Sequence, residues 1–306
     1  MLEGYMASYF KNWLDREGLL PIGCPSCDIK INHSNDTYDP VFSPYIHNGT
    51  DSFKRIAIDE MNSVLESLNL KTEYENMENI LEYPASELCK IETKCNMASE
   101  ENALNITVGK KPYLSGPLKL CNEAIDAFFM EYYSGLSLDN VAWGKLSELS
   151  DWQKILPLTY GYHNTTYNTT HIATDLAKPL IKYISNIFVY ETTKVTLLMG
   201  HDANINVLLR ALDFHHFILD NEFVSTPIGG KIVFQKWRDL TSKEELLKIN
   251  YIYHSIEQIR NATILSENNK PKTHLLQLKH CRCNEAGFCP WSDFIDILNN
   301  FNVLQI

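Results

Sequence analysis

Apolar residues recur along this chain with two different periods. Ile58, Met61, Leu65 and Leu68 fall on one stripe of a 3.6-residue helix, and so do Ile125, Phe128, Phe129 and Tyr132. Leu2, Tyr5, Met6, Tyr9, Phe10 and Trp13 predict a further helix that ends near Gly18. Residues from about 50 to about 190 read as mainly helical, with polar loops near 70–110 and over GYHNTTYNTTH at 161–171. The two-residue period of strands marks a short stretch, CDIKIN at 27–32, and returns only late in the chain. There it covers KVTLLMG (194–200), KIVFQKW (231–237), INYIYHS (249–255) and HLLQLKH (274–280). Sheet elements therefore gather behind a helical block, the order of an α/β domain carrying a helical insertion.

One junction combines both periods. Val195 to Met199 is an unbroken apolar run, as in a strand buried on both faces. Ile205, Leu208, Leu209 and Leu212 then form the apolar face of a helix. Gly200, His201 and Asp202 lie between, at the strand end and helix start where open α/β sheets bind ligands. Free N–H groups at a helix start attract phosphate. A histidine there holds a phosphate oxygen, and an aspartic acid carries a proton to a leaving group. Asp202 is equally suited to N-cap a helix beginning at Ala203, and one carboxylate serves both purposes.

Charge and cysteine content narrow the partners. The chain of 306 residues carries a formal net charge of −11 and only six arginines, with no basic stripe, which argues against nucleic acid. No apolar run approaches the ~18 residues of a membrane span. The opening MLEGYMASYFKNWL lacks the basic start and apolar stretch of a secretory signal. Among eight cysteines, Cys89 and Cys95 bracket one short loop and Cys281 and Cys289 another. These two pairs read as disulfides formed in an oxidising compartment. Zinc at Cys24 and Cys27 is the weaker reading, since no second pair stands at matching spacing. No metal or cofactor is predicted, and Cys121 and Cys283 have no assigned partner.

LLMGHDANINVLLRALDF followed by TPIGGKIVFQKW resembles the C-terminal signature of the histidine acid phosphatase family, in its bacterial periplasmic glucose-1-phosphatase and phytase branch. DPVFSP (39–44), SGPLKLCNEAIDAFFMEYYSG (115–135), VAWG (141–144), INYIYHSIEQIRNA (249–262) and GFCP (287–290) agree with it, in order. The resemblance implies an α/β phosphatase core of the phosphoglycerate-mutase-like kind over residues 1–49 and 190–306, with a mainly helical cap at 50–189. It implies phosphomonoester hydrolysis of sugar or inositol phosphates, in the periplasm or outside the cell. Asp202 takes the role of proton donor and His201 that of phosphate ligand, while Asn204 joins the phosphate loop.

Members of the family also carry an Arg-His motif on the first strand, whose histidine attacks phosphorus, and an Arg-Thr helix. No Arg-His dipeptide occurs here, and only PIGCPS (21–26) stands where relatives hold a strand and the Arg-Thr helix. LEGYMASYFKNWLDREGLL resembles the helix after the catalytic strand. The expectation is a truncated core that turns over little, whether as a fragment of a phosphatase or as a non-catalytic phosphate-binding protein.

Overall fold

The computed structural model describes residues 39, 41–92, 95–191 and 195–303. The chain forms two compact units, 1–43 and 44–306. In the first, the Asp39 carboxylate accepts the Val41 and Phe42 N–H groups at 2.7 and 2.9 Å. The helix expected over 2–13, the strand over 27–32, and Cys24 and Cys27 lie outside the described residues.

The second unit opens with helices. α1 (Asp51–Ser67) starts at Thr50, whose hydroxyl accepts the Phe53 N–H, and it buries Phe53, Ala57 and Met61. α2 (Lys71–Leu81) and α3 (Glu87–Glu92) occupy much of the stretch expected as loop. Tyr74, Met77 and Ile80 recur at every third position and bury one side of α2, a stripe that outweighs its polar neighbours. A two-stranded hairpin follows, β1 (Ala103–Asn105) and β2 (Tyr113–Ser115), antiparallel with Leu104 opposite Leu114. α4 (Pro117–Tyr133) begins with proline in its first turn, where no N–H is needed. Its buried face, Cys121, Ile125, Phe128 and Phe129, meets α5 (Leu149–Gln153) and α6 (Leu156–Thr166). Phe129, Trp152 and Phe223 stack at ring separations of 4.7–5.7 Å in this core.

The polar run 161–171 is helical except for a turn at 167–169. It forms the second half of α6 and the start of α7 (Thr170–Tyr190). Thr165 and Thr166 donate to the carbonyls of Gly161 and Tyr162, four residues back, at 2.8 and 2.7 Å. Their hydroxyls are thus satisfied inside the helix and both residues are fully buried.

α8 (Asp202–Ala211) packs on α7. Beyond it lies an antiparallel sheet with β4 (Glu245–Tyr253) at its centre. β4 pairs with β3 (Lys231–Arg238), β5 (Lys272–Leu276) and β6 (Cys289–Pro290). Leu247, Ile249, Tyr251 and Tyr253 of β4 alternate onto one buried face. α10 (Trp291–Val303) covers the sheet, joining Trp291 and Phe294 to Phe188 and Phe234. A one-turn helix, α9 (Ile256–Arg260), leaves the end of β4. Where a strand is expected at 194–200, the described residues 195–200 belong to none. Residues 195–200 join no ladder among the described residues, and Val195, Leu197 and Met199 are 64%, 51% and 68% exposed. An apolar run encodes a need for burial, but a strand also needs a neighbour with free N–H and C=O groups. No described helix is long and apolar enough to cross a membrane.

Candidate active site

The start of α8 is built by its own sequence. The N-cap is His201, in extended conformation (φ −115°, ψ 167°), one residue earlier than expected. Asn204 explains the shift. Its side-chain oxygen accepts the His201 N–H at 2.9 Å, and its own N–H donates to the His201 carbonyl at 3.0 Å. This bond fixes the loop and places Asp202 inside the first turn, with the free N–H groups of that turn beside it. His201 and Asp202 are both solvent-exposed.

The helical block supplies the other wall. His163 of α6 brings Nε2 to 4.0 Å from Asp202 Oδ2. Its Nδ1 is buried and without a hydrogen-bond partner among the described residues. Burial holds the His163 imidazole below its ordinary range, and the Asp202 charge opposes that shift. Asp126 of α4 lies in the same recess. Crowding by protein pushes its carboxyl up to about 6, and the charge of Asp202 adds to the rise. Its carboxyl keeps an open edge to solvent. Asn122 donates to Asp126 at 3.0 Å and accepts from Thr159 at 2.6 Å, a buried relay that orients the acid. The phenols of Tyr162 and Tyr167 flank His163 at ring separations of 5.6 and 6.0 Å. Burial, then neighbouring groups that include Asp126 and Asp202, raise both phenols, which keeps them neutral donors.

The structure thus brings His201, Asp202 and Asn204 together and adds Asp126 and His163. For Asp126 a signal existed, since it stands one turn after Asn122, off the apolar face of α4. For His163 there was none, because its helix is hidden in a run of Asn and Thr.

Cys89 bridges Cys95 and Cys281 bridges Cys289, with Cα separations of 4.8 and 5.9 Å. Cys121 and Cys283 are free thiols. Among the described residues one His/Cys/Asp/Glu group has metal-ligand spacing, Cys281, Cys283 and Cys289, and two of its three sulfurs are already bonded to each other. That donor set does not suit a resident metal.

No family model matches the sequence. Individual relatives do. A glucose-1-phosphatase of Providencia rettgeri is 35% identical over 333 residues, covering 97% of this chain and 80% of that protein. One from Salmonella typhimurium is 34% identical, covering 98% of this chain and 81% of its own. Among solved structures, the phytase of Citrobacter braakii superposes with a TM-score of 0.76 at 22% identity, over 90% of this chain and 73% of that one. The 333 aligned positions outnumber the 306 residues of this chain, so the relative holds internal segments that this chain lacks.

Proposed function

The chain belongs to the histidine acid phosphatase family of phosphomonoester hydrolases, and from that premise we propose that the start of α8 is its leaving-group site. The observation that carries this reading is the placement of Asp202 in the first turn of α8, beside His201 and 4.0 Å from His163. His201 and the free N–H groups of that turn hold the phosphoryl oxygens. As the bond from phosphorus to the ester oxygen breaks, the Asp202 carboxyl gives its proton to that oxygen. Asn204 keeps His201 and Asp202 in register through its bond to the His201 N–H. Asp126, neutral below about pH 6, spares an incoming phosphate a further negative charge, which favours acid conditions. The substrate is a phosphorylated small molecule of the sugar or inositol class, and the two disulfides suit an oxidising compartment such as the periplasm.

A second reading is a phosphate-binding protein without turnover. It is favoured by the internal segments present in the relative and missing here. The two readings separate in one assay of the 306-residue polypeptide with p-nitrophenyl phosphate and glucose 1-phosphate at acid pH. Turnover that Asp202→Asn abolishes supports the hydrolase. Absent turnover, with phosphate raising the melting temperature in wild type but not in His201→Gln, supports the binding protein. Neither turnover nor phosphate stabilisation would remove the site from both.

A further inference from the structure

Three sulfurs crowd the start of β6. Cys281 and Cys289 are bonded to each other, and the free thiol Cys283 stands beside them, with all three Sγ atoms within 4.8 Å of one another. Cys281 and Cys289 are buried, while Cys283 is half-buried. Cys121, the other free thiol among the described residues, is fully buried in the helical core.

The loop between the arms brings a second pairing within reach. The Asn284 N–H donates to the Phe288 carbonyl at 2.8 Å, and the Asn284 side chain accepts the Ala286 and Phe288 N–H groups, both at 3.0 Å. Gly287 turns the chain between them at φ +80°. The next pair outward along the two arms is Cys283 and Cys289. These two stand 6 positions apart, the separation that Cys89 and Cys95 already bridge in this chain. Cys289 is held opposite Leu247 of β4, so the sulfur that both partners would share is fixed. Loop entropy separates the two pairings little, because it varies with the logarithm of a separation of 8 or of 6. Burial, and next the Asp293 carboxylate of α10, hold the Cys283 thiol above its ordinary range. Asp293 is itself paired with Arg282 at 2.6 and 2.9 Å. Thiolate is therefore scarce in acid, which traps the Cys281–Cys289 bond.

We infer that Cys281, Cys283 and Cys289 form a thiol–disulfide exchange site in which Cys283 displaces Cys281 from Cys289. The Cys283 thiolate, its proton given to water, attacks Cys289 Sγ. A Cys283–Cys289 bond forms as the Cys281–Cys289 bond breaks. The electron pair leaves on Cys281 Sγ, which takes up a proton from water. One disulfide and one thiol remain, so no oxidant or reductant is consumed. The exchange moves a tether. Cys281 ends a segment whose Gln277 carbonyl accepts the His215 N–H at 2.9 Å and whose Lys279 N–H donates to the Asp213 carbonyl at 3.1 Å. Its bond to Cys289 thus ties the corner after α8 to β6. Pairing with Cys283 closes the 283–289 loop alone and releases that tie.

Trypsin reads the two pairings apart, because Arg282 lies between Cys281 and Cys283. The 306-residue chain is incubated without added thiol, acid-quenched, unfolded, alkylated with N-ethylmaleimide and digested without reduction. Before exchange, peptide 280–282 is bonded to peptide 283–306 and the label sits on Cys283. After exchange, peptide 280–282 carries the label and peptide 283–306 holds an internal bond. Labelled 280–282 should accumulate with time, about tenfold faster per pH unit between about pH 6 and about pH 8.5, since only thiolate attacks. Its rate should not depend on protein concentration. Cys283→Ser should abolish it, and Cys121→Ser should leave it unchanged. Label confined to Cys283 at every time and pH overturns the exchange. Labelled 280–282 that persists in Cys283→Ser, or forms faster in more concentrated protein, also overturns it, because another thiol or another chain is then the attacker. Label on Cys289 would mean that Cys283 attacks Cys281, and the assignment of Cys289 as the shared sulfur falls.

Discussion

Asp126 shows how one side chain sets a pH dependence. Its carboxyl, raised to about 6 chiefly by crowding and next by Asp202, changes charge within a narrow interval. Below that value it is neutral, and above it a second anion faces the phosphate loop. Phosphate affinity should therefore fall as pH rises through about 6, and Asp126→Asn should flatten that step in a calorimetric series. The effect on the fold has the same direction. The folded chain holds this proton more tightly than an unfolded one, whose value is near 3.8. Asp126 thus stabilises the fold less as pH climbs from that range to about 6, and contributes no further change above it. A urea series over that interval would show the decline in wild type and its loss in Asp126→Asn. Sequence made His201, Asp202 and Asn204 legible because neighbouring residues form one turn. Asp126 and His163 come near Asp202 only in the folded chain, a long-range approach that spacing does not encode.

At the scale of elements, the start of β3 depends on a close approach that a side chain would block. A Cβ at Gly230 would lie 2.3 Å from the Tyr251 hydroxyl and 2.8 Å from the Pro227 carbonyl oxygen. Tyr251 is fully buried on the central strand and cannot swing away. Gly230→Ala should destabilise the fold by about 1–3 kcal/mol, as overpacking does, seen as a lower urea midpoint at unchanged slope. Tyr251→Phe removes the nearest contact and leaves Pro227 and the ring edge at 2.9 Å, so the double variant should recover part of the loss. Strict additivity of the two changes would contradict the clash. The strands β3 and β4 and the helices α1, α4 and α8 were legible, because each carries its own period and buries that face locally. α6 was not. Its helical state rests on threonine hydroxyls turned onto backbone carbonyls and on burial of Gly161, Thr165 and Thr166 against other helices. Neither signal is visible in a polar sequence, where Asn and Thr favour turns.

Across the whole molecule, the run from Val195 to Met199 sets the largest tension between sequence and fold. Its residues ask for burial, yet three of them expose more than half their surface and no described strand pairs with them. An exposed apolar run of this kind is a surface on which another chain can pack. The net charge of −11 opposes such contacts at long range, but salt screens that repulsion beyond about 8–10 Å. Association should therefore be weak at low ionic strength and grow as salt is added, the reverse of what a charge-mediated contact would do. Val195→Lys/Leu197→Lys places two cations on the run and should suppress the salt-induced rise in light scattering. Because surface substitutions change stability by no more than about 0.5 kcal/mol, the melting temperature should stay near that of wild type. A large loss of stability in this variant would mean instead that the run is packed in solution. A monomer whose scattering ignores salt would show that the run is covered, and the exposure of Val195, Leu197 and Met199 would no longer describe the molecule.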